Sequence, residues 1–134
     1  MYLKPRRAPA PDRTPETAAY WDAARDGRLL LRGCRACGQV HHYPRTLCPF
    51  CFSADTEWRV ASGRGTIYSY SVMHRAAEPY AVAYVRLDEG VTVMTNLVAC
   101  EADEIRIDGA VHVVFHPSEG GDPIPMFTPL RPPG

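Results

Sequence analysis

The chain has 134 residues, and its 15 lysines and arginines balance its 15 aspartates and glutamates, so the formal net charge is zero. This length suits one compact unit or two very small ones. A neutral chain lacks the basic excess expected of a general nucleic-acid binder, and no apolar run approaches the roughly 20 residues that a membrane helix needs. The N-terminal segment has no apolar stretch of the kind found in secretory signals. A cytoplasmic protein is therefore the default expectation.

The first 27 residues are predicted to form an arm followed by a helix. Residues 1–13 are rich in proline and arginine, which indicates a mobile or extended arm. Thr14 is a plausible N-cap with Pro15 at the first helical position, and Gly27 is a natural stop. The alanines and aromatic residues between them favour a helix. It is short, so it must dock on other structure to be stable.

The cysteines carry the strongest chemical signal in the chain. Four of the five form two C-x-x-C pairs, Cys34 with Cys37 and Cys48 with Cys51, while Cys100 stands alone. An odd count argues against a fully paired disulfide framework. Two residues between cysteines let both sulfurs of a tight turn face one point, and two such turns present the four thiolates that structural zinc prefers. The sequence therefore predicts one structural zinc ion, with no open coordination position for catalysis.

The same residues allow other interpretations than zinc. Iron held by four sulfurs would use the same ligands, whereas a thioredoxin-type redox pair needs a βαβ pattern that is absent. His41 and His42 lie between the cysteine pairs, and we interpret them as strand residues, one facing in and one facing out. Cys100 is interpreted as a small buried apolar residue rather than a nucleophile.

Short strand patterns follow the helix and divide the chain. Residues 29–31, 40–43 and 56–60 predict a small metal-pinned β unit. Five further strand segments within about seventy residues suggest a small closed or partly closed barrel. These segments are residues 66–73, 80–87, 91–98, 111–115 and 124–127. We predict an arm and helix in residues 1–27, a zinc ribbon in 28–62, and a barrel with a proline-rich tail in 63–134.

The order of these motifs resembles the DUF35 family over about residues 20–130. The motifs that carry the resemblance are Tyr20-Trp21, Gly27 with residues 29–31, Cys34-x-x-Cys37-Gly38, Tyr43-Pro44-Arg45, Cys48-Pro49-x-Cys51, Gly63-x-Gly65, Pro79-Tyr80 and Val113-x-Phe115. A zinc ribbon alone would be unspecific, but the ordered set is much more specific. The resemblance implies a mainly β fold with an N-terminal helical hairpin, a rubredoxin-like zinc ribbon and a five-stranded OB-fold barrel. His112 departs from the small or proline-like residue expected before the valine strand.

The resemblance also implies a function. Members of the family look like non-catalytic partners of thiolase-superfamily enzymes, namely thiolases, acyltransferases and the lipid-transfer-protein-like aldolases of steroid side-chain degradation. Some are fused to, or complexed with, hotdog-fold enoyl-CoA hydratases. We therefore expect an accessory subunit that scaffolds its partner and helps to bind the CoA thioester, with two copies flanking a partner dimer. Arg64 and Arg75 are the candidates for contacts with CoA phosphates.

No catalytic signature appears in the residues themselves. His74, His112 and His116 belong to no recognisable motif, and Ser69 and Ser71 lie on an alternating strand without a nucleophile elbow. We therefore predict that the chain has no active site of its own.

Two other functions are compatible with the sequence. The chain would bind single-stranded nucleic acid if the tyrosines at 68, 70, 80 and 84 stacked on bases, although the neutral charge favours barrel and interface roles for them. A stand-alone CoA-binding or acyl-carrying protein is the third hypothesis, with Arg45 as a further phosphate candidate. For the accessory-subunit hypothesis, the aromatic face of the helix and the proline-rich ends are predicted to contact the partner.

Overall fold

A small ribbon sheet and a closed barrel form most of the computed structural model, which describes residues 1–130. The elements in chain order are β1 (Tyr2–Leu3), α1 (Ala18–Arg25), β2 (Leu30–Cys34), β3 (Val40–His41), β4 (Thr56–Val60), β5 (Arg64–Met73), β6 (Tyr80–Leu87), β7 (Thr92–Leu97), β8 (Cys100–Glu101), a 3₁₀ turn (Ala102–Glu104), β9 (Ala110–His116) and β10 (Ile124–Pro129). The end of the predicted proline-rich tail, residues 131–134, lies outside the described residues. β10 continues into the start of that tail, through Thr128 and Pro129.

The barrel contains the five strands that the sequence predicts, in the order β10-β7-β6-β5-β9. Along β6, alternate side chains are buried in the barrel interior, namely Ala81, Ala83, Val85 and Leu87. The ring closes where Phe127 of β10 meets Leu97 of β7 in parallel. This alternation is the two-residue period of a strand with one buried face, so local sequence predicts which side chains fill the barrel.

β5 lies between two neighbouring strands of the barrel. It pairs with β6 along its length and with β9 at its start. Two features let the strand bend. The pairing register shifts between Ile67 and Ser69, a bulge that increases local twist. At Gly65, a Cβ atom would collide with the backbone oxygen of Arg86, so only glycine allows the two strands to approach this closely.

Helix α1 joins the ribbon to the barrel core. Its buried residues are Tyr20, Ala23 and Ala24, and Tyr20 belongs to the same apolar cluster as the ribbon residue Leu31 and the barrel residue Ile67. The helix begins at Ala18, later than predicted, because residues 14–17 form a separate turn in which the Thr14 carbonyl accepts from the Thr17 amide at 3.0 Å.

The predicted end of the helix is confirmed, whereas the helical hairpin implied by the family resemblance is not. Gly27 follows the helix with φ of +76°, the left-handed conformation that glycine adopts without strain. Residues 1–130 contain one α-helix, because the proline-rich arm lacks amide donors that a second helix would need. No helix in this part of the chain is long and apolar enough to cross a membrane.

The N-terminal arm is extended, but it is fixed to the barrel rather than mobile. β1 pairs with β8, and the Leu3 side chain is fully buried. The Leu3 carbonyl accepts from the Ala99 amide at 2.7 Å, and the Ala8 carbonyl accepts from the Glu119 amide at 2.9 Å. Both ends of this stretch are therefore held by backbone hydrogen bonds, and the arm does not need another protein for support.

A buried carboxylate holds the arm, the helix and the β9–β10 loop together. Asp122 is 3 % exposed and accepts two hydrogen bonds from the Arg13 guanidinium, at 2.7 and 2.8 Å. Arg25 of α1 donates to the same carboxylate at 2.5 Å, and Arg13 also reaches Asp22 at 2.7 Å. Hydrogen bonds from Arg13, and then from Arg25, outweigh the burial that opposes ionisation and lower the pKa of Asp122 to about 2.

This carboxylate should make stability depend on acid pH. The folded pKa is depressed, so its contribution is complete above the unfolded value of about 3.9 and is lost as pH falls from about 4 to about 2. We expect Asp122→Asn to lower the melting temperature at pH 7 and to flatten its fall across that window. Thermal unfolding followed from pH 2 to 7 measures both effects.

Asp12→Asn, a substitution at an exposed aspartate, is the matched control and should retain the wild-type curve. Protonation of the cysteine site affects all three proteins alike, so the difference between them isolates Asp122. A wild-type pH profile in Asp122→Asn would show that the carboxylate contributes nothing.

Candidate metal centre

The two C-x-x-C pairs fold into two matching turns. Cys34 ends β2, and its carbonyl accepts from the Gly38 amide at 2.9 Å. In the second turn, the Cys48 carbonyl accepts from the Phe52 amide at 2.8 Å. Gly38 and Phe52 occupy equivalent positions and both have positive φ, +76° and +64°. The second turn therefore places a bulky residue in the conformation that favours glycine. The ring of Phe52 lies at the surface.

The four sulfurs have the geometry of a tetrahedral zinc site. Cys34 and Cys51 Sγ are 3.6 Å apart, Cys37 and Cys48 Sγ are 3.7 Å apart, and all four lie within 4.8 Å of one another. A zinc–sulfur bond of about 2.3 Å requires sulfurs about 3.8 Å apart at the corners of a tetrahedron. The donor set therefore fits the predicted structural zinc.

A bound cation would let all four cysteines of the cluster ionise together. Burial opposes ionisation of Cys48, but the amides of Cys51 and Phe50 and the neighbouring thiols lower its pKa to about 7. At Cys51 the Ser53 amide favours the thiolate, yet burial and the other three cysteines raise the pKa to about 12. Four adjacent thiolates repel one another, so they coexist when a bound zinc ion neutralises them.

The histidines between the cysteine pairs take no part in this cluster, which contains cysteines alone within the described residues. His41 is buried in β3, and burial, with help from Arg32 and Arg45, lowers its pKa. His42 is half-buried, and its Nε2 lies 3.3 Å from the Tyr20 hydroxyl. His41 faces inward on β3 as predicted, but β3 ends at His41, so the prediction that His42 is also a strand residue is wrong.

The two arginines predicted to contact CoA phosphates lie far apart. Arg64 begins β5, next to His112 of β9, whereas Arg75 follows the end of the same strand. At about 3.3 Å per residue, the ten-residue strand puts its ends roughly 30 Å apart. His74 lies beside Arg75 at one end of β5, and His112 lies beside Arg64 at the other end. These two histidines therefore do not form a common site either. Arg64 and Arg75 cannot bind the same phosphate group.

Exposed apolar side chains surround the second cysteine turn, and sequence reasoning did not identify them. Tyr43, Leu47 and Phe52 line one shallow depression of about 560 Å³, and Phe52 is 76 % exposed. Phe50, between the two cysteines, is also exposed. The sequence does contain a signal for this surface, because it places aromatic residues in these turns at positions that neither bind metal nor fill a core. We call these four residues the knuckle surface.

A second apolar surface covers the outside of the barrel. Tyr84 of β6 pairs with Met94 of β7 and with Ser69 of β5, and both Tyr84 and Met94 are exposed. Tyr68, in the β5 bulge, is exposed beside them, with Arg86 lying 5.0 Å from its ring centre. We call Tyr68, Tyr84 and Met94 the barrel surface.

A four-thiolate ribbon followed by a closed five-stranded barrel defines a zinc-ribbon and OB-fold protein. Two family profiles match the chain, the ChsH2 rubredoxin-like zinc ribbon domain over residues 21–57 and the ChsH2 C-terminal OB-fold domain over residues 58–116. The chain belongs to this family of DUF35 proteins.

Relatives include separate chains and parts of longer ones. A probable enoyl-CoA hydratase alpha subunit of Thermomonospora curvata is 36% identical over 135 residues, which are 97% of this chain but only 41% of that protein. A DUF35 domain-containing scaffold protein of Methanocaldococcus jannaschii is 34% identical over 66% of this chain and 69% of its own. The benzoylsuccinyl-CoA thiolase subunit BbsA of Geobacter metallireducens is 32% identical over 80% and 77%, respectively.

A solved structure named Ltp2-ChsH2(DUF35) aldolase contains a similar chain. The match has a TM-score of 0.75 and 36% identity, and it covers 89% of this chain and 98% of that one. The similarity therefore extends over both the ribbon and the barrel.

Proposed function

We propose that this chain is a non-catalytic accessory subunit of a thiolase-superfamily enzyme, which it scaffolds while helping to bind the CoA thioester. The observation that carries the proposal is the pair of exposed apolar surfaces on a chain whose candidate acids, bases and nucleophiles lie on separate elements. Large exposed aromatic side chains are typical of protein interfaces. A catalytic site would instead require a nucleophile and a base within hydrogen-bond reach.

The surfaces differ from those that the sequence suggested. Tyr20 of α1 is buried and Trp21 is partly buried against the core, so the aromatic face of the helix is internal. The arm lies along its own barrel. We therefore propose that the knuckle surface and the barrel surface contact the partner. No helix or strand of the described chain covers their aromatic side chains.

The names of the relatives support a partner that acts on CoA thioesters. One relative is a thiolase subunit, one is named a scaffold protein, and the matched solved structure is named an aldolase. Thiolase, aldolase and acyltransferase partners all fit the proposal, with steroid side-chain degradation as one setting. Because thiolase-like enzymes are usually dimers, we propose two copies of this chain on a partner dimer. The hydratase relative makes a hotdog-fold hydratase a further candidate partner.

Nucleic-acid binding is less well supported by the barrel. Base stacking needs an open aromatic face, but Arg86 lies over Tyr68, and Arg6 lies 4.1 Å from the ring centre of Tyr80. Tyr84 remains open, beside the apolar Met94 rather than beside a cation. An apolar protein surface suits this arrangement better than a charged strand.

Co-expression with the thiolase-like protein encoded nearest to this chain tests the proposal. We expect an equimolar complex on size exclusion and partner turnover that depends on this chain. Phe52→Glu and Tyr84→Glu should each weaken the complex, because a charge must be buried at the interface. Ile107→Glu is the matched control, since Ile107 is exposed outside both surfaces. Partner and chain that never associate, with a partner fully active alone, would refute the scaffold role.

The absence of a catalytic role predicts small effects at the remaining reactive side chains. Cys100 is fully buried and His74 is exposed in the β5–β6 loop. We expect Cys100→Ala and His74→Ala each to leave partner turnover within about tenfold, which is about 1.4 kcal/mol of barrier. Turnover of the purified complex measures this. A loss of about three orders of magnitude with the complex intact would mean that this chain supplies chemistry.

A further inference from the structure

A pocket of about 200 Å³ lies between the N-terminal arm and the loop that joins β5 to β6. The arm contributes Tyr2, Lys4 and Arg6, and the loop side contributes Glu78 and Tyr80. The pocket therefore exists because the arm folds back onto the barrel. It lies at the Arg75 end of β5, far from Arg64.

The backbone on either side of Lys4 and Arg6 is anchored to the barrel. Leu3 is fully buried immediately before Lys4, and the Ala8 carbonyl accepts from the Glu119 amide two residues after Arg6. The Arg6 guanidinium lies 4.1 Å from the centre of the Tyr80 ring. Stacking on an aromatic ring orients a guanidinium and leaves its in-plane N–H donors available.

Neither cation is neutralised by another described residue. Arg13, Arg25 and Arg35 all form ion pairs with carboxylates, whereas Lys4 and Arg6 form no salt bridge within residues 1–130. Glu78 lines the same pocket without pairing to either. Two unpaired cations against one carboxylate leave the pocket with excess positive charge, which favours an anion.

The size of the pocket limits what enters it. Pockets that enclose a drug-sized ligand have volumes of about 300–1,000 Å³, so a cavity of about 200 Å³ accepts a phosphate or diphosphate group but not a whole nucleotide. Arginine's planar fork matches phosphate oxygens, and lysine adds a point charge.

We propose that this pocket binds a phosphate group of a phosphorylated small molecule, with Lys4 and Arg6 as its ligands. The identity of that molecule rests on the proposed function, which makes a CoA thioester the source of the phosphate. The rest of the ligand lies outside the pocket, toward the partner. The chain thereby holds one end of the substrate while the partner carries out the chemistry.

Binding to the zinc-loaded full chain tests the proposal by calorimetry at low salt. The probes are CoA, dephospho-CoA, inorganic pyrophosphate and a ten-residue oligothymidine. We expect CoA to bind, and Arg6→Gln and Lys4→Gln each to weaken it about tenfold, or about 1.4 kcal/mol. Arg106→Gln is the matched control, an exposed arginine outside the pocket, and should bind as wild type. Retained zinc content and melting temperature show that each variant is folded.

The probes also identify the source of the phosphate. Weaker binding of dephospho-CoA places the 3′-phosphate in the pocket, whereas equal binding of both, together with pyrophosphate competition, places the diphosphate there. Wild-type CoA binding by both Arg6→Gln and Lys4→Gln would overturn the proposal, as would the absence of CoA binding up to about 1 mM. Oligothymidine binding that exceeds CoA binding and depends on Arg6 would replace it with a nucleic-acid site. Each of these outcomes is independent of complex formation, so failure here leaves the accessory-subunit role intact.

Discussion

Cys48→Ser is expected to lose the bound zinc and to unfold residues 28–60. Cys48 is fully buried between the two turns, and its sulfur lies 3.7 Å from Cys37 Sγ, so serine cannot replace it as a ligand of comparable affinity. Many of the ribbon's large apolar side chains are exposed rather than packed in a core, and structural zinc in zinc-finger peptides contributes about 10–16 kcal/mol at neutral pH. No single side-chain contact in the ribbon can compensate for that loss.

The loss should also reach the barrel. Leu31 of the ribbon belongs to the same apolar cluster as Ile67 of the barrel, so an unfolded ribbon exposes part of the barrel core. Metal analysis by mass spectrometry should give about one zinc per wild-type chain and none in the variant, and thermal unfolding should show a lower melting temperature. Cys100→Ala is the matched control, a fully buried cysteine outside the cluster, and should retain zinc. A metal-free protein with an unchanged melting temperature would refute the structural role of the metal. Iron in place of zinc would refute only the identity of the metal.

Leu3→Ala is expected to destabilise the whole protein. Leu3 is fully buried although it is the third residue of the chain, and truncating a buried leucine costs about 2–5 kcal/mol. For a protein of this size, such a loss lowers the melting temperature by roughly 10 °C. Chemical denaturation and thermal unfolding measure the two quantities.

The same experiment distinguishes an anchored arm from a mobile one. Lys4→Ala is the matched control, because Lys4 is the exposed neighbour of Leu3, and an exposed substitution should change stability by less than about 0.5 kcal/mol. A mobile arm would make Leu3→Ala as harmless as Lys4→Ala. Equal stability of the two variants would therefore show that the arm does not pack in solution.

The cysteine spacing and the strand alternation were sufficient to predict the metal site and the barrel. Both are short-range signals, because a C-x-x-C turn brings two sulfurs together within four residues and a strand alternates every two residues. The end of the helix is also a short-range signal, because Gly27 ends it through its own backbone conformation. The chain by itself therefore determined the cluster of Cys34, Cys37, Cys48 and Cys51, the ribbon-then-barrel order and the inward side chains.

Tertiary structure alone decided where the arm, the helix and the charged side chains go. β1 has two residues, too few for a periodic pattern, and its partner β8 is about a hundred residues away along the chain. The Arg13–Asp122 hydrogen bonds cross a similar distance, so no local pattern identifies either contact.

The structure likewise separated Arg64 from Arg75, which are close in the sequence but lie at opposite ends of an extended strand, and it brought Lys4 and Arg6 to the loop beyond β5. The reason is common to all of these cases. Residue type and spacing specify local geometry, whereas the pairing of distant segments depends on which apolar surfaces the folded chain can bury together.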